Sequence, residues 1–193
     1  MDARVKPGHD KRRDIVLVYL AGSIAMTRAT AAALRPFLAA DAPVLAAIYQ
    51  ASIEELTAED YSPAQQIAWA AQADDQDEFA ERLARGLTLV ATVAGAPVGF
   101  ATLQGTDHVD LLHVHPSAAG QGVAALLIDA LEKLAQARGA TRLNADVSDT
   151  ARGFFEKRGF TAERRNTVAL GGEWLGNTTM QKRLGTAGGK GRP

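Results

Sequence analysis

The sequence predicts a layered α/β fold, of α+β type, built as one domain. Three observations point there. Helix-periodic segments come first, between 42 and 86; short alternating runs follow; and one strand–helix–strand unit is set among them over 107–147. The chain has 193 residues, of which 47% are hydrophobic, enough for a single core of real size. No 20–50-residue repeat suggests a solenoid or an array.

Each element has a local reason. ALRPFLAAD, 33–41, reads as a short strand. Asp41 then stands where a cap belongs, with Pro43 in the first turn of the helix APVLAAIYQASIEEL. A second helix starts in TAEDYSPAQQIAWAAQ, with Ser62 as cap and Pro63 at its first position. A third, DDQDEFAERLARG, runs from an acidic start to a basic end, as the helix dipole favours, and stops at Gly86. LTLVATVAGAPVGFATL predicts two strands joined at Gly95-Ala96-Pro97, and HVDLLHVHP a third, stopped by Pro116. The helix over 121–138 sets Val123, Leu127, Leu131 and Leu134 on one face and ends at Gly139. TRLNADV alternates as a strand, Ser148 caps the short helix in SDTARGFFEKRGF, and FTAERRNTVALGGEWLGNTTMQKRL predicts two strands around Gly171-Gly172.

Composition removes several classes of function. There is no cysteine, which excludes disulfides, thiolate metal sites and cysteine nucleophiles. Formal net charge is −1, unevenly spread. Residues 1–13 hold five basic and two acidic side chains, and 182–193 hold four basic and no acidic ones. The body, 14–181, keeps 12 basic against 20 acidic residues, a net of −8. That balance argues against nucleic acid as a partner and mildly favours a cationic substrate such as an amine.

The ends read as appendages. GTAGGKGRP, 185–193, is glycine-rich and is expected to be a disordered tail. KRRDIVLVYLAGSIAM has the outline of a secretory signal but is too short to span a bilayer, so no membrane partner is expected. MDARVKPGHD is similar to short repeats that arise when bacterial intergenic DNA is translated by mistake. On that reading Met26 is the natural start and 1–25 a mis-annotated extension, and 1–30 is set apart from the domain as disordered or mis-annotated; a signal or a docked segment is the alternative.

The stretch HVHPSAAGQGVAALLIDALEKL, 113–134, carries the chemistry. A strand ends, a turn holds Gly120 and Gly122, and an apolar helix begins with no acid from Ala118 to Val123. A helix start leaves about four N–H groups unpaired and carries partial positive charge. With no side-chain cap, a phosphate is the expected partner, held on the N–H groups of Ala119, Gly120, Gln121, Gly122, Val123 and Ala124. The chain has neither GxxxxGK[ST] nor GxGxxG followed by an acid, so the two commoner nucleotide motifs are absent. Alone, the two glycines more often serve a tight strand-to-helix turn.

The wider pattern is more specific. A strand ending Val114-His115-Pro116, then GQGVA, an apolar helix, a strand and ARGFFEKRGF resembles the GNAT superfamily of acyl-CoA-dependent N-acyltransferases. Gly122-Val123-Ala124 matches the second half of that family's [RQ]-x-x-G-x-[GA] loop, and FFEKRGF, 154–160, its frequent [FL]-Y-E-K-x-G-F. The resemblance covers about 33–184, and the domain is set at 31–184. It implies a GNAT-like twisted, mostly antiparallel sheet, split between the strands 107–115 and 141–147. Acetyl-CoA would lie in the split as co-substrate, its pantetheine arm on the backbone of Leu112, His113 and Val114. The acceptor, a small-molecule or peptide amine, would enter past the helices around 45–70. Dimers are common in the family, so a homodimer is kept among the partners, and the location implied is cytoplasmic in a bacterium.

Two departures stand out. Ala119 falls where the family has Arg or Gln, and Phe155 where it has the tyrosine that protonates the leaving thiolate. A phenyl ring donates no proton, so another group must serve or the thiolate must leave unaided; a thiol pKa near 8.5 makes that tolerable. Direct attack by an amine on the thioester needs a base and a carbonyl polariser. Asp110 is the candidate base and the Val114 N–H the polariser. Ser148, first a helix cap, is also a candidate contact to pantetheine and a donor to the thiolate. Tyr61 is the candidate replacement acid, and with Trp69 and Trp174 it could line the acceptor pocket or simply pack. His113 and His115 share a strand face, but no acid or cysteine pattern completes a metal set, and none is expected. Arg164 and Arg165 could meet the cofactor's 3′-phosphate, though surface exposure is the preferred reading. Beside the enzyme stands a second reading, kept open by Phe155: an acyl-CoA-binding sensor that has lost catalysis.

Overall fold

The computed structural model describes residues 31–185. The expectations for 1–30 and for all but the first residue of the 185–193 tail lie outside the described residues. Seven strands form one sheet: β1 (Ala33–Pro36), β2 (Leu87–Val93), β3 (Ala96–Gln104), β4 (His108–Val114), β5 (Arg142–Ser148), β6 (Thr161–Leu170) and β7 (Glu173–Arg183). They lie side by side in the order β1-β2-β3-β4-β5-β7-β6. Every neighbouring pair is antiparallel except β4–β5, which is parallel. The helices are α1 (Ala42–Leu56), α2 (Pro63–Ala70), α3 (Gln76–Arg85), α4 (Val123–Ala137) and α5 (Asp149–Lys157). The mixed, mostly antiparallel sheet with one crossover is the architecture expected.

Local chemistry accounts for most boundaries. Ser62 accepts from the Gln65 N–H while the Gln65 side chain accepts from the Ser62 N–H, a reciprocal capping box ahead of Pro63. Asp75 accepts from the N–H groups of Asp77 and Glu78 at the start of α3, and Arg82 and Arg85 stand in its last turn. Two expectations are corrected. Asp41 makes no side-chain cap for α1; its carboxylate is drawn back to Arg35, at 2.6 and 2.7 Å, and to the Leu38 N–H, closing a 3-10 turn before the helix. The β2–β3 hairpin turns at Ala94 and Gly95, with φ of 50° and 85°, one residue earlier than the proline suggested. That left-handed pair matches the twist of the flanking strands, and Pro97 is left inside β3, opposite Thr92.

The sheet has a core on each face. On one, α4 buries Val123, Leu127, Ile128 and Leu131 against Ala101, Leu103, Leu143 and Met180, with Phe155 and Phe160 closing the end. On the other, α1 and α3 bury Leu45, Tyr49, Ile53, Phe79 and Leu83 against Val90, Phe100 and Leu111. β4 is therefore covered on both sides. Among the described residues no helix is long and apolar enough to cross a membrane.

Leu131 is fully buried in the α4 core, whereas Ile67 on α2 is 71% exposed. Leu131→Ala is expected to cost about 2–5 kcal/mol in urea denaturation, and Ile67→Ala under about 0.5 kcal/mol.

Candidate active site

The site begins with a failure of pairing. β4 and β5 run parallel but are in register at only two positions, His108 with Asn144 and Val109 with Ala145. At the next residue β4 carries a bulge. Thr102 of β3 faces Leu111 and Leu103 faces Val109, so Asp110 is the extra residue. A bulge bends and twists its strand. From there β4 leaves β5 and stays with β3, while β5 stays with β7 through Ser148. The strands part into a V, and a cleft of about 880 Å³ opens between them.

Strand alternation decides what faces the gap. The His115 N–H donates to the Val98 carbonyl across β3. The N–H and C=O groups of Leu112 and Val114, which alternate with it, therefore turn to the opposite edge, where β5 has gone. Beyond β4 the chain makes a tight turn. His115 Nδ1 accepts from the Ser117 N–H at 3.2 Å and lies 2.7 Å from its hydroxyl. His115 thus fixes the turn, and among the described residues no metal-binding group is formed.

The glycine loop needs glycine for its backbone. Gly120 and Gly122 have φ of 73° and 84°, and a Cβ on either would meet nothing within 4 Å. Both are left-handed, which costs other residues roughly 1–2 kcal/mol, and both border open space. Gly122 is the N-cap of α4 and offers no side chain to it. The first helical bond is from Leu126 N–H to the Gly122 carbonyl. The N–H groups of Gly120, Gly122, Val123, Ala124 and Ala125 thus have no acceptor among the described residues. Two groups expected in this row are already used: Ala119 N–H donates to Pro116 and Gln121 N–H to Ala118. Gln121 also turns its side chain back to the Ser117 carbonyl and is not in the cleft wall, whereas Ala119, Gly120, Gly122, Val123 and Ala124 are.

Asp110, Tyr61, Ser148 and Phe155 are brought to the same cleft, several with occupations of their own. Asp110 is no free carboxylate: its two oxygens accept from Arg82 Nε at 3.0 Å and Nη2 at 2.9 Å. Tyr61 is buried, donates to the Gly176 carbonyl at 2.7 Å and accepts from the Asp149 N–H at 2.9 Å, so its hydroxyl ties the turn before α2 to α5 and β7. Burial raises its pKa, which makes it a poorer acid than a free phenol. Ser148 caps α5 by accepting from the Ala151 N–H, and among the described residues its own proton has no acceptor. Phe155 packs edge-on to Phe154 and Phe160 and reaches the cleft wall. Trp174 stands 66% exposed and is neither core nor cleft wall. Arg165 pairs with Asp149, its Nη2 2.7 Å from the carboxylate.

The sequence reading missed a polar group on the helical side. Ser52 of α1 gives its only proton to the Tyr49 carbonyl at 2.7 Å, so its 2.8 Å contact with His113 Nδ1 has the imidazole as donor. His113 is thereby held as the Nδ1–H tautomer. Its ring stacks on Phe100, with centroids 5.6 Å apart, and lies 4.4 Å from Tyr49. Burial, with Arg82 nearby, pushes its pKa down to about 3, so it is neutral at physiological pH. Tyr49 donates to Gln72 Oε1 at 3.0 Å, and burial pushes its phenol up to about 12. The signals were a serine inside the apolar stripe Tyr49, Ser52, Ile53, Leu56 and an arginine inside Phe79, Arg82, Leu83, both at helical spacing.

Residues 57–184 match the family model described as Acetyltransferase (GNAT) domain. The chain belongs to the GNAT acetyltransferase family. The Escherichia coli protein named uncharacterized N-acetyltransferase YafP is 32% identical over 149 residues, 77% of this chain and 93% of that protein. A solved GCN5-related N-acetyltransferase from Rhodopseudomonas palustris, described as Aminotransferase, Class-II, superposes with TM-score 0.78 at 61% identity, covering 79% of this chain and 95% of its own. At 18% identity and TM-score 0.68, over 79% of this chain and 99% of the other, PaiA N-acetyltransferase from Thermoplasma acidophilum, solved with coenzyme A, shares the fold. The fold and the acetyl-CoA-dependent N-acetyltransferase class read from the sequence are thus borne out.

A neutral His113 gives a sign for pH. Its folded pKa, about 3, lies below the ordinary value of 6.5. Its contribution to stability is complete above pH 6.5 and is lost as pH falls towards 3, because the unfolded chain binds the proton first. In urea denaturation, the stability of wild type relative to His113→Gln is expected to shrink between pH 7 and pH 4.5.

Proposed function

We propose that this protein moves an acetyl group from acetyl-CoA to a primary amine by direct attack in the β4–β5 cleft. The observation that carries the reading is one continuous edge of unpaired backbone donors. It runs from Leu112 and Val114 on the parted strand to Gly120 and Gly122–Ala125 at the α4 start. An extended amide chain ending in a pyrophosphate meets such an edge along its length: amides on the strand, phosphates on the helix N-terminus. Relatives' structures carry the same class of ligand, coenzyme A on PaiA and acetyl-CoA on a Salmonella typhimurium acetyltransferase of 20% identity.

This chain's groups then divide the work. The Val114 N–H polarises the thioester carbonyl as negative charge grows on its oxygen. The amine nitrogen bonds to the carbonyl carbon, the C–S bond breaks, and the electron pair leaves on sulfur. The Ser148 hydroxyl, with its proton free, donates a hydrogen bond to that thiolate where Phe155 supplies none. The amine's surplus proton passes to cleft water. Asp110, bound to Arg82, holds the bulge and wall rather than serving as a free base, and Tyr61 holds the walls together rather than replacing the missing acid. The reading sets the acyltransferase domain at 31–184, with 1–30 and 185–193 as appendages. It makes the protein a cytoplasmic bacterial enzyme and takes a homodimer as the assembly to test. The acceptor is a small amine or a peptide amine.

Acetyl-CoA and free CoA at about a hundred times their dissociation constants are each expected to stabilise the protein by roughly 2.7 kcal/mol in a thermal melt, and ATP by nothing. A thiol-release assay across an amine panel should show turnover, reduced about tenfold by Ser148→Ala at saturating substrates. Loss of that cap should lower stability by about 1 kcal/mol. Binding of acetyl-CoA without turnover on any amine, for wild type and Phe155→Tyr alike, would favour the sensor.

A further inference from the structure

The acceptor half of the cleft has a side chain fixed for a task that the reaction as described leaves open. His113 is pinned on three sides. Phe100 stacks on its ring from β3, Tyr49 packs against it from α1, and Trp69 meets it edge-on from α2 with centroids 6.5 Å apart. Ser52, itself anchored to the Tyr49 carbonyl, takes the Nδ1 proton at 2.8 Å. That leaves the lone pair on Nε2. Among the described residues Nε2 has no hydrogen-bond partner, yet no fully buried side-chain nitrogen or oxygen lacks one. Nε2 is therefore not fully buried, and His113 is in the cleft wall. The same wall carries an apolar set beside Ser52, Arg82 and Asp110, and two of its side chains, Leu56 at 38% and Val168 at 43% exposure, are exposed large hydrophobics. Arg82, the one arginine or lysine in that wall among the described residues, is already paired with Asp110.

We propose that His113 receives the acceptor amine through Nε2, and that the amine arrives on an aromatic or branched apolar group seated among Ile53, Leu56, Trp69, Val168, Leu170 and Leu175. The inference rests on the acetyl-transfer reading and names its substrate class. An amine N–H donates to Nε2, which turns the nitrogen lone pair away from the imidazole and leaves it free for the thioester carbon. The C–N bond forms, the C–S bond breaks with its electron pair going to sulfur, and the ammonium proton leaves to water. His113 orients the nucleophile and takes no proton. A low pKa suits that role, because a protonated ring would repel an incoming ammonium and have no lone pair to offer.

The test compares wild type, His113→Phe and Ser52→Ala by acetyl-CoA-dependent thiol release, with 2-phenylethylamine, 3-methylbutylamine, ethanolamine and spermidine as acceptors. Acetyl-CoA-induced melting shifts are read on each variant. His113→Phe keeps the ring and loses the acceptor atom. It is expected to lower kcat/KM for the amine a hundredfold or more, while KM for acetyl-CoA and the melting shift stay within twofold. Ser52→Ala frees the tautomer and is expected to lower kcat/KM five- to tenfold, which keeps the inference testable if His113→Phe does not fold. Wild type should prefer 2-phenylethylamine or 3-methylbutylamine over ethanolamine and spermidine by tenfold or more. Amine kcat/KM within threefold of wild type in both variants, or a preference for ethanolamine or spermidine, would overturn it. So would equal losses for amine and acetyl-CoA, which would make His113 a cofactor contact. No melting shift and no turnover in wild type would instead sink the acetyl-transfer reading itself, and this inference with it.

Discussion

The structure depends on two strands that pair for two residues and then part. Parallel strands ordinarily continue until their hydrogen bonds are used. Here β4 and β5 stop after Val109 and Ala145, because the bulge at Asp110 bends β4 away while β7 holds β5. Unpaired backbone groups in a protein interior are costly unless something satisfies them. The parted edge is thus open to a ligand that is itself an extended chain of amides. The crossover helix adds the second half: α4 starts where β4 ends, so its uncapped N-terminus prolongs the same line of donors.

The rest of the domain holds that gap open. The two cores clamp β4 from both faces, and Arg82 locks the bulge residue from α3. Tyr61 spans the far side, joining the α2 start to Gly176 of β7 and Asp149 of α5 with one hydroxyl. On the α1 side, Ser52 and Tyr49 present His113 with its nitrogen lone pair to the cleft. The wall that would receive an acceptor is therefore positioned by helices, and the wall that would receive acetyl-CoA by the sheet. The two partners would meet at the apex of the V.

The fold was legible because its signals are local. Ser62 and Ser148 cap where expected, and the strand–helix–strand unit shows in its periodicity. The glycine loop was legible too, though the reason shifted: Gly120 and Gly122 are required by their positive φ, and Ala119 and Gln121 spend their N–H groups on the turn. What stayed hidden is set by tertiary contacts. Nothing within ten residues of Asp110 announces that Arg82, 28 positions earlier, takes its carboxylate. Tyr61 looked like a spare acid because its partners lie 88 and 115 positions away. Sequence places side chains on elements well, but their hydrogen-bond partners are decided by which elements meet.

Acetyl-CoA is proposed to lie along the parted edge. Backbone hydrogen exchange with and without saturating acetyl-CoA reads it amide by amide. Slowed exchange at Leu112, Val114, Gly120 and Gly122–Ala125, with the β6–β7 turn unchanged, is the predicted result. Binding that leaves those amides exchanging as before, or protects only the β6–β7 end, would place the cofactor elsewhere and contradict it.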